Sequence, residues 1–112
     1  MKKKTLNQRD IGNILSELKA ELRRLYKDRL ASVVLYGSYV REEADIDSDI
    51  DVAVVLNGKV LPGKEIDRMI DVITDINLKH NTLISVYPVS ASSFRTVKSP
   101  LLLNLRSEGV KV

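Results

Sequence analysis

Two short apolar runs, divided by a Gly-Ser pair and an Asp-x-Asp triplet, constrain this chain more than any other feature. The first run, Val33 to Tyr36, stops at Gly37-Ser38. Ten residues separate Ser38 from Asp49-Ile50-Asp51, which opens the second run, Val52 to Leu56. Continuous apolar runs of this length, bounded by turn signals, read as buried strands. Gly37 and Ser38 therefore stand at the end of one strand, and Asp49 and Asp51 at the start of the next.

The strand period turns this placement into chemistry. Residues two apart on a strand point to the same face, about 6.6 Å apart along it. Asp49 and Asp51 then project side by side, while Ile50 and Val52 face a core. At an effective dielectric near 20, two such charges repel by roughly 2–3 kcal/mol. Glu42, Glu43, Asp45 and Asp47 deepen the negative potential. A divalent cation with oxygen ligands offsets it, and Mg²⁺ is commonly held by one or two carboxylates plus substrate phosphates and water. Gly37 allows a ligand to approach the backbone closely. A turn running into a helical start presents N–H groups suited to phosphate. Ser38 adds a hydroxyl, and Arg41, one turn later, a positive charge. A phosphate-binding turn beside a metal-binding carboxylate pair points to nucleoside triphosphate chemistry.

These residues, from Leu35-Tyr36-Gly37-Ser38 to Asp49-Ile50-Asp51-Val52, resemble the signature of the polymerase β-like nucleotidyltransferase superfamily. The short chain is most similar to its minimal nucleotidyltransferases, which act beside HEPN-domain proteins. The resemblance implies Asp49 and Asp51 as catalytic and Mg²⁺-binding residues, with Gly37, Ser38, Arg41 and Ser48 holding the nucleotide. It implies ATP as substrate and transfer of AMP to a hydroxyl, a tyrosine of a HEPN-type toxin encoded nearby, so that the chain acts as an antitoxin. Relatives usually add a third carboxylate from a later strand. The corresponding stretch here, Leu83 to Tyr87, contains no acid, and Ser85 or Tyr87 would face the site in its place. The alternative is a weak or inactive nucleotide-binding module that neutralises its partner by contact. Larger relatives carry extra domains, so a bare palm implies a partner or an oligomer, homo- or hetero-oligomeric, to complete its cleft.

Composition narrows the other classes. With 112 residues, 44% apolar and 29% charged, the chain suits one domain with a modest core. It has no cysteine, which excludes disulfides, thiolate metal sites and cysteine nucleophiles. Met1-Lys2-Lys3-Lys4 leads into polar residues rather than an apolar signal region, and no apolar run reaches membrane-spanning length. A cytoplasmic location without membrane contact is the expectation. Net charge is +3, but residues 41–51 hold six acids against one Arg. The remainder is basic, which suits either a solvated surface or an anionic partner. Four Tyr and one Phe provide few stacking platforms, and no nucleic-acid motif is present, which argues against nucleic acid. Gly-Ser-Tyr lacks the second glycine of a hydrolase elbow, and no Gly-Lys-Ser/Thr marks a P-loop.

Along the chain, residues 1–9 read as a flexible basic start and 10–112 as a single domain. Asp10 is the expected N-cap of a helix to about Lys27, with Ile11, Ile14, Leu15, Leu18, Leu22 and Leu25 on its apolar face. Strands follow at 31–36 and 50–56, with a helical turn at 38–43. Asn57-Gly58-Lys59 and Pro62-Gly63 mark a loop. A helix over 64–79 would turn Ile66, Met69, Ile70, Ile73 and Ile76 to the core, with Asp67, Asp71 and Asp75 solvated. Lys79-His80-Asn81 fits a helix end, with His80 capping and Asn81 left-handed. Thr82 to Val89 reads as a strand whose Pro88 places it at an edge. A loop and short helix follow, and Ser99-Pro100 starts a helix over 100–107. Gly109 ends it, leaving Val110 to Val112 as a tail or short strand. The expected fold is α/β (α+β), a nucleotidyltransferase palm with helices packed on a small mixed sheet.

Overall fold

The computed structural model describes residues 6–45 and 48–112. In order they form α1 (Gln8–Tyr26), β1 (Leu30–Tyr36), a 3-10 turn (Gly37–Tyr39), β2 (Ile50–Leu56), α2 (Pro62–His80), β3 (Ile84–Ser90), α3 (Ala91–Thr96), α4 (Pro100–Glu108) and β4 (Val110–Lys111). The sheet runs β3-β2-β1-β4. β1 is antiparallel to both neighbours, and β2 and β3 are parallel. The 12-residue-scale connection that a parallel pair needs is supplied by α2. This is the mixed α/β palm expected, with Pro88 on an edge strand.

Strand alternation divides the core in two. Ile50, Val52, Val54 and Leu56 point to one face, where they pack with Ile14, Leu18 and Leu22 of α1 and Met69, Ile73 and Ile76 of α2. Ala53 and Val55 point to the other face and join Val34, Val89, Leu102 and Leu105 under α3 and α4. Ile50, Val52 and Val54 are fully buried. Burying a side chain of this kind contributes about 1.5–3 kcal/mol, and a one-residue slip of β2 would turn its whole inner row from α1 and α2 to the opposite face, where Ala53 and Val55 now pack. The register of β2, and with it the position of Asp51, is thereby fixed.

Several local expectations are corrected. The N-cap of α1 is Asn7, whose side-chain oxygen accepts from Asp10 N–H at 2.8 Å, so Gln8 and Arg9 are helical. Residues 1–5 of the expected flexible start lie outside the described residues. Leu25 is partly exposed, and Tyr26 takes the buried place. α2 begins at Pro62, which suits a first helical turn where its missing N–H costs nothing. Ile66 and Ile70 face solvent, while Glu65 is buried. Tyr26 Oη donates to Glu65 at 3.1 Å and the Arg29 guanidinium lies 3.4 Å from it, so the carboxylate is matched. His80 is the last residue of α2, as the helix end at Lys79-His80-Asn81 required, with its Nε2 3.0 Å from Glu17 Oε2 of α1, and Lys79 pairs with the same carboxylate. Asn81 does adopt the left-handed cap, at φ 50°. No helix among the described residues is long and apolar enough to cross a membrane.

Candidate active site

The site begins where β1 ends. Gly37 has φ +79°, a conformation that side chains resist, and it is buried. Its carbonyl accepts from the N–H groups of Val40 at 3.1 Å and Arg41 at 3.2 Å, and Glu43 N–H donates to Ser38 O at 2.9 Å. The chain therefore coils tightly through 37–43. Only Gly37–Tyr39 forms regular 3-10 helix, shorter than the helical turn expected at 38–43. A Cβ on Gly37 would stand 3.1 Å from Asp51 Cγ and closer still to its carboxylate oxygen. The turn and Asp51 are thus packed directly together, which the absence of a side chain on Gly37 allows.

Asp51 is the second residue of β2 and lies opposite Tyr36 on β1 and Ser85 on β3. Alternation puts it on the α3/α4 face, away from Ile50 and Val52. Asp49 precedes β2 on the same parity. Partial burial pushes the Asp51 carboxyl above its ordinary range, and the Asp49 charge adds to this, while Arg41 opposes it. Asp49, Asp51 and Arg41 are therefore electrostatic neighbours. The structure gathers four of the sequence-selected positions, Gly37, Arg41, Asp49 and Asp51, in this space, and Ser38 continues the turn.

The remaining residues are engaged differently. Arg41 lies between two carboxylates, Glu43 at 3.5 Å and Glu108 of α4 at 3.7 Å. Ser48 closes the acidic loop: its Oγ accepts from Asp45 N–H at 2.9 Å and lies 3.3 Å from Asp45 Oδ1, and its own N–H donates to Asp45 O at 3.1 Å. Asp47 lies outside the described residues. Tyr87 points to the Asp51 face but packs against the α3/α4 core.

Two residues escaped the sequence reading. Tyr36 is half-buried directly across from Asp51, and burial, Asp51 and Tyr87 together raise its hydroxyl pKa. Counting strand parity back from Asp51 would have found it. Glu108 carries no sequence signal, because only the packing of α4 brings it to Arg41.

Hard carboxylate oxygens beside a backbone cradle suit a divalent cation with a bound phosphate. Asp51, destabilised as an anion by burial and by Asp49, would gain most from that charge. Among the described residues no group of three or more His, Asp or Glu converges on a metal site, so Asp49 and Asp51 stand as a pair. A groove of about 580 Å³ lies on the other side of the turn, between the start of α1, Tyr39 to Glu42 and Val110 to Val112. Neither Asp lines it; the candidate site is at the end of the sheet, where β1 finishes and β2 begins.

Comparison with known proteins identifies the family. The nucleotidyltransferase domain family matches residues 15–100. The chain is 33% identical over 104 residues to the candidate protein adenylyltransferase MJ0141 of Methanocaldococcus jannaschii, covering 92% of this chain and 99% of that protein. In fold it is similar to a chain of the mutant toxin–antitoxin MntA-HpeT, with a TM-score of 0.56 at 16% identity, covering 95% of this chain and 71% of that one. A candidate nucleotidyltransferase from Sulfolobus solfataricus gives a TM-score of 0.58 at 16% identity, with 95% and 87% coverage. This chain belongs to the nucleotidyltransferase domain family.

Proposed function

We propose that this nucleotidyltransferase transfers AMP from ATP to a hydroxyl, a tyrosine, of a HEPN-type toxin encoded nearby, and so acts as its antitoxin in the cytoplasm. The observation that carries the reading is the close approach of Gly37 to Asp51, which supports a turn and a carboxylate acting together on one phosphate group. The relative from M. jannaschii and the toxin–antitoxin neighbour support the acceptor class and the biological role.

In this reading Asp49 and Asp51 hold Mg²⁺, which when bound neutralises charge on the phosphates and on the entering and leaving oxygens. Gly37 and Ser38 seat the triphosphate. Arg41 exchanges one of its carboxylate partners for a phosphate oxygen, and Ser48 steadies the acidic loop next to the nucleotide. The acceptor oxygen forms a bond to the α-phosphorus, the bond to the pyrophosphate oxygen breaks, and the hydroxyl proton leaves to water. Positioning and charge complementarity supply most of the acceleration in such transfers.

One observation favours a second reading. Ser85, not an acid, stands opposite Asp51 on β3. A chain with that strand position neutral could bind ATP without turning it over and neutralise its partner by contact. Incubation with ATP labelled at either the α- or the γ-phosphate separates the two. Transfer of α-label but not γ-label to the toxin, lost in Asp49→Asn/Asp51→Asn, supports AMP transfer. A stable complex that acquires neither label supports the contact reading.

A further inference from the structure

α2 leaves an unpartnered face on the molecule. Ile66, Ile70 and Leu78 recur on a four-residue spacing along it, with Thr74 filling the row, and they are 37%, 48% and 77% exposed. Leu83, between α2 and β3, is 49% exposed. Beside this apolar row runs an acidic one, Asp67, Asp71 and Asp75, on the same spacing and exposed. Among the described residues none of the three forms an ion pair, whereas Glu17, Glu21, Glu43, Glu65 and Glu108 all do. Like charges four apart on a helix repel, by about 0.2–0.5 kcal/mol per pair. Lys64, Arg68 and Lys79 stand three or four residues from members of the row, yet none is paired with it. Exposed apolar side chains rimmed by charge mark interaction sites.

We infer that this face of α2 docks a cationic amphipathic helix of a partner protein, its apolar residues on Ile66, Ile70 and Leu78 and its Lys or Arg side chains on the Asp row. Helix recognition of this kind reads anchors at the spacing seen here, and the partner's cations relieve the repulsion within the acidic row. α2 covers the sheet face opposite to the one carrying Asp51, so the docked helix leaves the Asp49/Asp51 space open. The inference rests on the reading that this chain has a protein partner, and gives that partner a docking element separate from its acceptor hydroxyl.

The test measures the Kd of the complex with the nearby-encoded HEPN-type protein for wild type, Ile66→Ser/Ile70→Ser and Asp67→Lys/Asp71→Lys. All substituted side chains are solvent-exposed, and unchanged melting temperature and ATP binding verify that fold and site persist. Each pair of substitutions is expected to weaken the complex by about tenfold or more. Wild-type affinity should fall as salt rises, and the charge-reversed variant should lose that dependence. Unchanged Kd in both variants would overturn the docking face and leave the partner reading standing. A wild-type chain that forms no complex would overturn both.

Discussion

Gly37 and Asp51 meet across the mouth of the sheet so closely that a single methyl group on Gly37 would displace the carboxylate. The glycine's positive φ and its lack of a side chain are both used: the first bends the chain back, the second makes room for the Asp51 carboxylate against the turn. Two demands at one position leave no other residue able to occupy it.

Gly37→Ala is therefore expected to damage function beyond its effect on folding. The strained φ alone costs about 1–3 kcal/mol. Displacement of Asp51 should lower transfer by a further factor of about 100, since an error of about 1 Å at a reacting centre has that effect. Steady-state transfer measured at a temperature where the variant remains folded separates the two.

Asp51 should limit the stability of the free protein. Its carboxyl pKa is raised by burial and by Asp49, so the folded state favours the protonated form. The associated stability is present below the ordinary carboxylate range and lost as pH rises through the folded pKa. Asp51→Asn should then melt at a higher temperature than wild type at pH 7, with the gap closing in acid. Melting curves across that range without divalent cations provide the measurement. A site that sacrifices stability for function behaves in this way.

Arg41 is held in place by Glu43 and Glu108 but keeps 44% of its side chain exposed. Arg41→Ala should raise the KM for ATP by about tenfold, the worth of one charge-assisted bond, and leave the melting temperature within about a degree of wild type. Arg41→Lys should recover part of the loss, because lysine keeps the charge without the planar fork.

Glu65 presents the opposite pH dependence. Burial opposes its ionisation, but the bonds from Tyr26 and Arg29 outweigh that and hold its pKa below the ordinary value. Burial and Glu65 in turn push the Tyr26 hydroxyl up to about 12. The stability from Glu65 is present above the ordinary carboxylate range and disappears as pH falls through the folded pKa. Tyr26→Phe removes one donor from a buried acid and should cost about 1–3 kcal/mol at pH 7. Denaturant titrations at pH 7 and pH 4 should show that cost shrinking in acid.

The half of the fold that carries the candidate site was legible because local signals and tertiary packing agreed there. β2 falls at Ile50–Leu56, as its apolar run required, and Ile50 and Val52 turn inward as the pleat demands. α2 was harder to read. Of its isoleucines, Ile73 and Ile76 are buried against the sheet, while Ile66 and Ile70 remain outside. Glu65 goes inside because Tyr26 and Arg29, distant in sequence, supply its partners. Asn7 and Asp10 are equally good caps by residue type, and in the structure Asn7 takes the role, with Asp10 N–H donating to its side chain. Periodicity names the faces of a helix, but long-range partners decide how far each face turns inward. The pairing of Arg41 with Glu108 belongs to the same class, since it depends on where α4 lies.

The central claim is AMP transfer by the Asp49/Asp51 pair to a protein hydroxyl. Its most direct test is the intact mass of the nearby-encoded HEPN-type protein after incubation with this chain, ATP and Mg²⁺, followed by fragmentation to locate any addition. The account predicts at least one added adenylyl group on a tyrosine with wild type, and none with Asp49→Asn/Asp51→Asn. An unmodified toxin that is nonetheless held and silenced by both the wild type and the double variant would contradict it.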